Sequence, residues 1–352
     1  MKDEQTYSPV LALNRISQEY PGIWKHVEVF HKLAHKDGPT SVPKWCYLPV
    51  SAAGAAIVSS NPNSHKDQEE AVFEALEMAC IVAAIGTWRM TKGVYRFDPE
   101  VLEALKTSTI DCAILSGEFM TLPEWCCYCE TPGFEWLSGP MLGFWCHLEW
   151  DPRREQVELR LLIDTDEELV PAMVPLGPWT VVEGVERAFK ETYAYASLLP
   201  EAVWDHLISE QAEKLHALVS IVLYLCTQAG EIRSHKSDEL RPCNPTPQKV
   251  KSGLRIFPAD GVREWSVGVR IGAKLRAAWA RSVQSGSSSG RVVRAHFRRG
   301  HYHNVLSGPR LNEFGERIPS EKRTSNVRWR YPTFVNFDNR DGNLPATIRA
   351  VD

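Results

Sequence analysis

The spacing of hydrophobic positions changes character three times along the chain. It begins with a helical period: Val72, Phe73, Leu76, Cys80 and Ala83 fall on one face of a helix. Ser64 with Asp67 three residues later resembles a capping box, so a helix is expected from about Asp67 to Trp88. Asp98 followed by Pro99 is an N-cap with proline at the first helical position, and it predicts a short helix through Leu102 and Leu105. The period then becomes that of strands. The segments W-C-C-Y-C, G-F-W-C-H-L-E-W and V-E-L-R-L-L-I-D are short, aromatic or branched, and separated by Gly, Pro or charged residues, as in an antiparallel meander over about 125–175. Helical spacing returns at about 181–191 and 201–228, where Leu215, Leu218, Val219, Val222 and Cys226 form a wide apolar face suited to lie on that sheet. A last stretch alternates again, from Val292 to His303 and from Val327 to Asn336, and reads as two strands joined by a long polar loop.

These patterns predict an α+β fold, with helices packed on an antiparallel sheet and a C-terminal basic β-rich module. Residues 1–232 form an acidic α+β body. Residues 233–262 hold several prolines and no sustained period, so they read as a connector, and 263–352 form the basic module. No internal repeat is visible.

Composition adds three restrictions. With 43% hydrophobic and 24% charged residues over 352 positions, the chain matches folded proteins rather than disordered ones. The N-terminal sequence lacks an apolar signal core, and the longest apolar run, Ala217 to Cys226 with Ser220 inside it, is about half of the roughly 20 residues that span a bilayer. Nine cysteines without a disulfide-like spacing suit a reducing compartment. A cytoplasmic location with no membrane partner is the expectation. Charge is unevenly spread: Lys274 to Arg330 holds thirteen Lys and Arg against three acids, while the whole chain carries −4. A basic end on an acidic body suggests an anionic partner for one and a cationic partner for the other, or mutual attraction between the two.

The candidate chemistry is concentrated in a few stretches. Cys126-x-x-Cys129 with Cys146-His147 invites zinc, but strand alternation puts Cys126 and Cys129 on opposite faces, so no metal or other cofactor is expected. Asp164 and Asp166, with Glu167 and Glu168, make an acidic strand end suited to a divalent cation or to Lys or Arg of a peptide, or merely solvated. No Gly-x-Ser-x-Gly or Walker pattern occurs. The stretch H-F-R-R-G-H-Y-H at 296–303 carries the densest set of functional groups. In a regular strand Arg299, His301 and His303 share one face, and His296 and Arg298 the other. Two readings compete with a purely structural one. Arg294, Arg298, Arg299, His301, His303, Arg310, Arg328 and Arg330 can clamp RNA or another anion, with Tyr302 and Trp329 stacking on bases. Alternatively, His296, His301 or His303 supply the acid and base of a metal-free ribonuclease.

The stretches G-T-W-R-M-T-K-G-V-Y (86–95), L-P-E-W-C (122–126), G-F-W (143–145), I-D-T-D (163–166), R-R-G-H-Y-H (298–303) and V-R-W followed by F-V-N (327–336) occur in an order that resembles the type V-A anti-CRISPR family, which suppresses production of the CRISPR effector nuclease. The resemblance implies recognition of the effector's N-terminal segment as it leaves the ribosome, with loss of its mRNA. It carries over no catalytic residue, and the loop 307–326 is longer here than in the family pattern. The chain then reads as a non-catalytic adaptor whose partners are that N-terminal peptide and RNA or the translating ribosome. Peptide binding is expected at a sheet edge, with Trp125, Trp136 and Trp145 lining pockets and Asp164 and Asp166 meeting cations. The alternatives are a peptide-directed ribonuclease and an RNA-binding regulator of a mobile element.

Overall fold

The computed structural model describes residues 7–36, 42–60, 68–110, 120–137, 139–192, 201–234, 240–251, 253–284, 296–319 and 322–335. The N-terminal helices are α1 (Ser8–Glu19), α2 (Ile23–Ala34), α3 (Val50–Ser60) and α4 (Gln68–Trp88). Then follow β1 (Gly93–Phe97), α5 (Pro99–Lys106), β2 (Thr109–Ile110), β3 (Cys126–Glu130), β4 (Glu135–Trp136), β5 (Gly139–Asp151), β6 (Gln156–Thr165) and β7 (Leu169–Pro175). The second half holds α6 (Val181–Thr192), α7 (Glu201–Thr227), β8 (Ile232–Ser234), β9 (Gln248–Val250), β10 (Gly253–Arg255), β11 (Arg263–Val267) and α8 (Val269–Gln284). It ends with β12 (His296–Arg298), β13 (His301–Ser307), β14 (Thr324–Arg330) and β15 (Thr333–Val335). The fold class is α+β, as the periodicities predict.

The central sheet runs β7-β6-β5-β3-β1-β11-β8, with β4 beside β5. The meander β3-β5-β6-β7 is antiparallel as expected. The sheet as a whole is mixed, because β1 pairs in parallel with both β3 and β11. A parallel neighbour needs a crossover, and α5 lies in the one between β1 and β3. Asp98 starts that helix as predicted: its carboxylate accepts from the Glu100 amide at 3.1 Å.

Strand alternation divides the sheet into two faces. Cys127, Cys129, Phe144, Cys146, Leu161 and Ile163 pack with α5, α7 and the C-terminal strands, while Cys126, Tyr128, Trp145 and Leu162 pack with α1–α4. Cys126 and Cys129 thus point to opposite sides. Helix α4 departs from its expected single stripe. Leu76 is exposed, whereas every residue from Ile81 to Trp88 is buried, because this end is enclosed by the sheet and the other N-terminal helices. Ser64 and Asp67 lie outside the described residues.

The expected boundary at 263 falls inside the sheet. All five residues of β11 are in register with β1, from Gly93 opposite Arg263 to Phe97 opposite Val267. Farther on, Tyr302, Val327 and Trp329 join the same apolar core as α7, and the Tyr302 hydroxyl donates to the Ser220 carbonyl. The connector itself supplies edge strand β8 and the β9–β10 hairpin. A five-residue pattern reveals that a strand exists and leaves open which sheet it completes.

Several polar groups interrupt the interior, carboxylates among them. On the α1–α4 face, Arg160 lies between Glu149 (2.8 Å) and Glu158 (2.6 Å), and Glu149 also accepts from the Val50 amide at the start of α3 (2.8 Å). Elsewhere Glu124 is buried, accepting from the Tyr95 hydroxyl at 2.9 Å, and burial pushes its carboxyl up to about 8. Gly93 makes room for it, since a Cβ there would lie 2.0 Å from the Glu124 carboxylate.

Candidate nucleic-acid interface

Strands β13 and β14 pair antiparallel, with His301 opposite Arg330 and His303 opposite Arg328. Period-2 alternation assigns these four side chains to one face. Tyr302, Val327 and Trp329 occupy the other and are buried, which anchors the ribbon through its inner side. The outer side is a two-by-two array. The His301 and His303 ring centroids are 5.9 Å apart, and Arg330 Nε donates to His303 Nε2 at 3.2 Å. Burial, then Arg330 and His301, lower the His303 pKa. Among the described residues no carboxylate forms an ion pair with Arg328 or Arg330.

The strand expected from Val292 to His303 is broken at Arg299 and Gly300. Residues 296–298 form β12, which pairs with β15 instead of β14. Gly300 is the reason: it is buried against β2, where a Cβ would come within 2.6 Å of Ser108 Oγ and 3.1 Å of Trp329 Nε1. Ser108 Oγ accepts from Trp329 Nε1 at 3.0 Å, and the Thr109 amide donates to the Gly300 carbonyl at 3.0 Å. Gly300 therefore acts as a close-approach point that ends one strand pairing and starts another. His296 belongs to the separate β12–β15 pair, and its side chain lies outside the described residues. Three histidines on one regular strand are not what forms.

Arg299 is exposed and lines a cleft of about 670 Å³. Its walls come from the end of α5, from α6 and from α7, and include Lys106, Thr109, Glu186, Glu213 and His216. Thr109 is in parallel register with His301, so it shares the outer face and joins the cleft to the ribbon array. Lys106 is already engaged: its Nζ donates to the Gly133 carbonyl at 3.0 Å and lies 5.1 Å from the Phe134 ring centre. His216 Nε2 is 3.1 Å from the Ser108 carbonyl. These cleft residues come from elements about 100 residues apart, and no local spacing announces them. Arg298 and Arg310 are exposed, on β12 and in the β13–β14 loop, and Arg294 lies outside the described residues.

Several expected contacts are closed to any ligand. Tyr302 and Trp329 are buried and cannot stack on bases. Of the proposed peptide contacts, Trp136 and Trp145 are core residues and Asp164 is buried, accepting from Ser8 (2.6 Å) and Tyr128 (2.7 Å). An aromatic-rich strand with both faces covered hides the residues that sequence alone marks as pocket-forming. Trp125 is half-buried and packs against Tyr47, 4.8 Å between ring centres, and Asp166 is exposed. Among the described residues, no group of three metal-ligating side chains gathers, and no helix is long and apolar enough to cross a membrane.

A model of the anti-CRISPR type V subtype A2 family matches residues 95–337, which include the meander, the cleft and the ribbon. The chain belongs to that family. The crystal structure of AcrVA2 superposes with a TM-score of 0.62 over 94% of this chain and 99% of that one, at 19% identity, and so shares its fold. Protein FinQ of Escherichia coli is 22% identical over 282 residues, 75% of this chain and 78% of that protein. In this type V-A anti-CRISPR family member, the cationic array and the cleft both lie within the matched region.

Proposed function

We propose that this type V-A anti-CRISPR protein is a non-catalytic adaptor that binds the N-terminal segment of the nascent effector nuclease, holds RNA on the β13–β14 ribbon, and so brings about loss of the effector's mRNA. The observation that carries the RNA half is the array of His301, His303, Arg328 and Arg330, with Arg299 beside it and, among the described residues, no carboxylate ion-paired with Arg328 or Arg330. Phosphate oxygens suit such a surface, because arginines gain bidentate charge-assisted bonds at little desolvation cost in the open.

The same geometry speaks for holding rather than cutting. General acid–base cleavage asks one histidine for a free lone pair and another for a proton. At His303 the Nε2 lone pair is taken by Arg330, and burial, then Arg330 and His301, lower its pKa and so disfavour the protonated ring. For the peptide half, Glu186 and Glu213 line the cleft together with Arg299 and with Lys106, which the Gly133 carbonyl engages, so the two carboxylates can meet a basic segment where the cleft opens beside the RNA face. Peptide and message would then sit side by side.

Labelled RNA titrated into the full chain at several salt concentrations tests the reading. Arg328→Ala and Arg330→Ala should each reduce the salt slope by roughly 0.7–0.9. A synthetic copy of the effector's N-terminus should bind wild type and lose affinity with Glu213→Lys. Absence of RNA binding at low salt rejects the adaptor. Cleavage by the purified protein alone, with a bell-shaped pH dependence, would replace it with a ribonuclease.

A further inference from the structure

The loop between β13 and β14 is itself a small structure. Leu311 bridges Arg317, the Ile318 amide donates to the Arg310 carbonyl (2.9 Å), and the Asn312 amide donates to the Glu316 carbonyl (2.9 Å). Asn312 Oδ1 accepts from the amides of Phe314 (3.0 Å) and Glu316 (2.9 Å), while its Nδ2 donates to the Glu316 carboxylate (2.9 Å). Gly315 closes the turn at φ +79°, a conformation that favours glycine. At the base, Arg323 donates to the carbonyls of Leu306 and Gly308 at 3.2 and 3.3 Å.

This finger is held by hydrogen bonds and not by a core. Every residue from Gly308 to Arg317 is exposed, and Phe314 at the tip is 86% exposed. A single exposed aromatic means little by itself. A braced turn that fixes one, on a ribbon already carrying cations, is a different situation, because the ordering cost of the contact is met before any ligand arrives.

We propose that the finger is a base-stacking element for single-stranded RNA, with Phe314 as the platform and Arg310 and Arg317 beside it for the backbone. The inference rests on the RNA reading of the ribbon and extends it from a phosphate clamp to a two-point site. Charge selects the occupant: between His301 and Arg330 six Lys or Arg face three acids, and Asn312 engages one of those acids, Glu316. An aromatic among cations is the surface that tracks unpaired nucleotides. Strand rise puts the end of β13 at Ser307 roughly 14 Å from His303, at about 3.4 Å for each of the four residue steps between them, and the finger lies beyond that end. Several nucleotides would bridge the two points.

The test is fluorescence anisotropy of the full chain with a labelled 12-nucleotide single strand and with an RNA duplex. Phe314→Ala should weaken the single strand about tenfold, leave its salt slope intact and leave the duplex unchanged, and Phe314→Trp should restore binding. Because Phe314 is 86% exposed, the melting temperature should not move. Unchanged single-strand affinity in Phe314→Ala, with the slope still lowered by Arg330→Ala, overturns the finger and spares the ribbon. Equal losses on single strand and duplex overturn stacking. Wild type that binds neither RNA overturns both proposals. Loss of ribosome binding with free RNA binding intact would make the finger's partner a protein, against this inference.

Discussion

Arg160 and Arg330 both stand on strands, in surroundings that are opposite in design. Arg160 is mostly buried on the α1–α4 side of the sheet, flanked by Glu149 and Glu158, whose side chains are 9% and 2% exposed. Arg330 is exposed and donates to His303, with His301 across the ladder and Arg328 on the same strand. Inside a protein a charge survives only with its counter-charge in place, so Arg160 is held by its two carboxylates, one of which, Glu158, also meets Arg154 at 3.8 Å. In water like charges tolerate one another cheaply, and an unanswered group of them remains open to an anion. Pairing marks the structural arginine, and its absence marks the one free to bind.

The largest expected effect breaks the buried side of this comparison. Arg160→Met leaves Glu149 and Glu158 adjacent with only the more exposed Arg154, 3.8 Å from Glu158, beside them, and should cost about 3–5 kcal/mol in urea unfolding. Arg330→Ala should stay within about 0.5 kcal/mol of wild type. Equal losses would make the exposed array structural and remove its claim to a ligand.

A smaller effect follows from pH. The folded Glu124 carboxyl titrates at about 8, against an ordinary value of 4.5, so the folded chain keeps a proton that the unfolded chain releases. That contribution is fully present below the unfolded value and is lost as pH rises from about 4.5 through 8. Glu124→Gln keeps a donor-acceptor head but cannot ionise. Melting temperatures of the two proteins should therefore converge or cross in the variant's favour as pH is raised from 5 to 8. Parallel curves would place a charged carboxylate in that core.

The smallest effect is expected at His303. Glutamine in its place still accepts from Arg330, so His303→Gln should change RNA affinity by less than about threefold. If affinity holds while loss of the effector mRNA disappears, His303 transfers a proton and the array is a catalyst. That outcome would sharpen the contrast with Arg160 in another direction.

Local features of this chain were legible because they are written within a few residues. Asp98-Pro99 states a helix start, the aromatic and branched runs from Trp125 to Asp164 state an antiparallel meander, and the alternation around Val327 to Arg330 states which side chains share a face. The shared face of His301, His303, Arg328 and Arg330 could thus be assembled from period alone once the two strands were paired. The family is legible in the same way, from short motifs kept in order. Tertiary structure decided everything that depends on who covers whom. It inserted β11 beside β1, turned Tyr302 and Trp329 inward, enclosed Trp136, Trp145 and Asp164, and drew α5, α6 and α7 together around the cleft. The physical reason is range: backbone geometry sets periodicity over one or two turns or strands, whereas burial is set by pairing between segments tens to hundreds of residues apart.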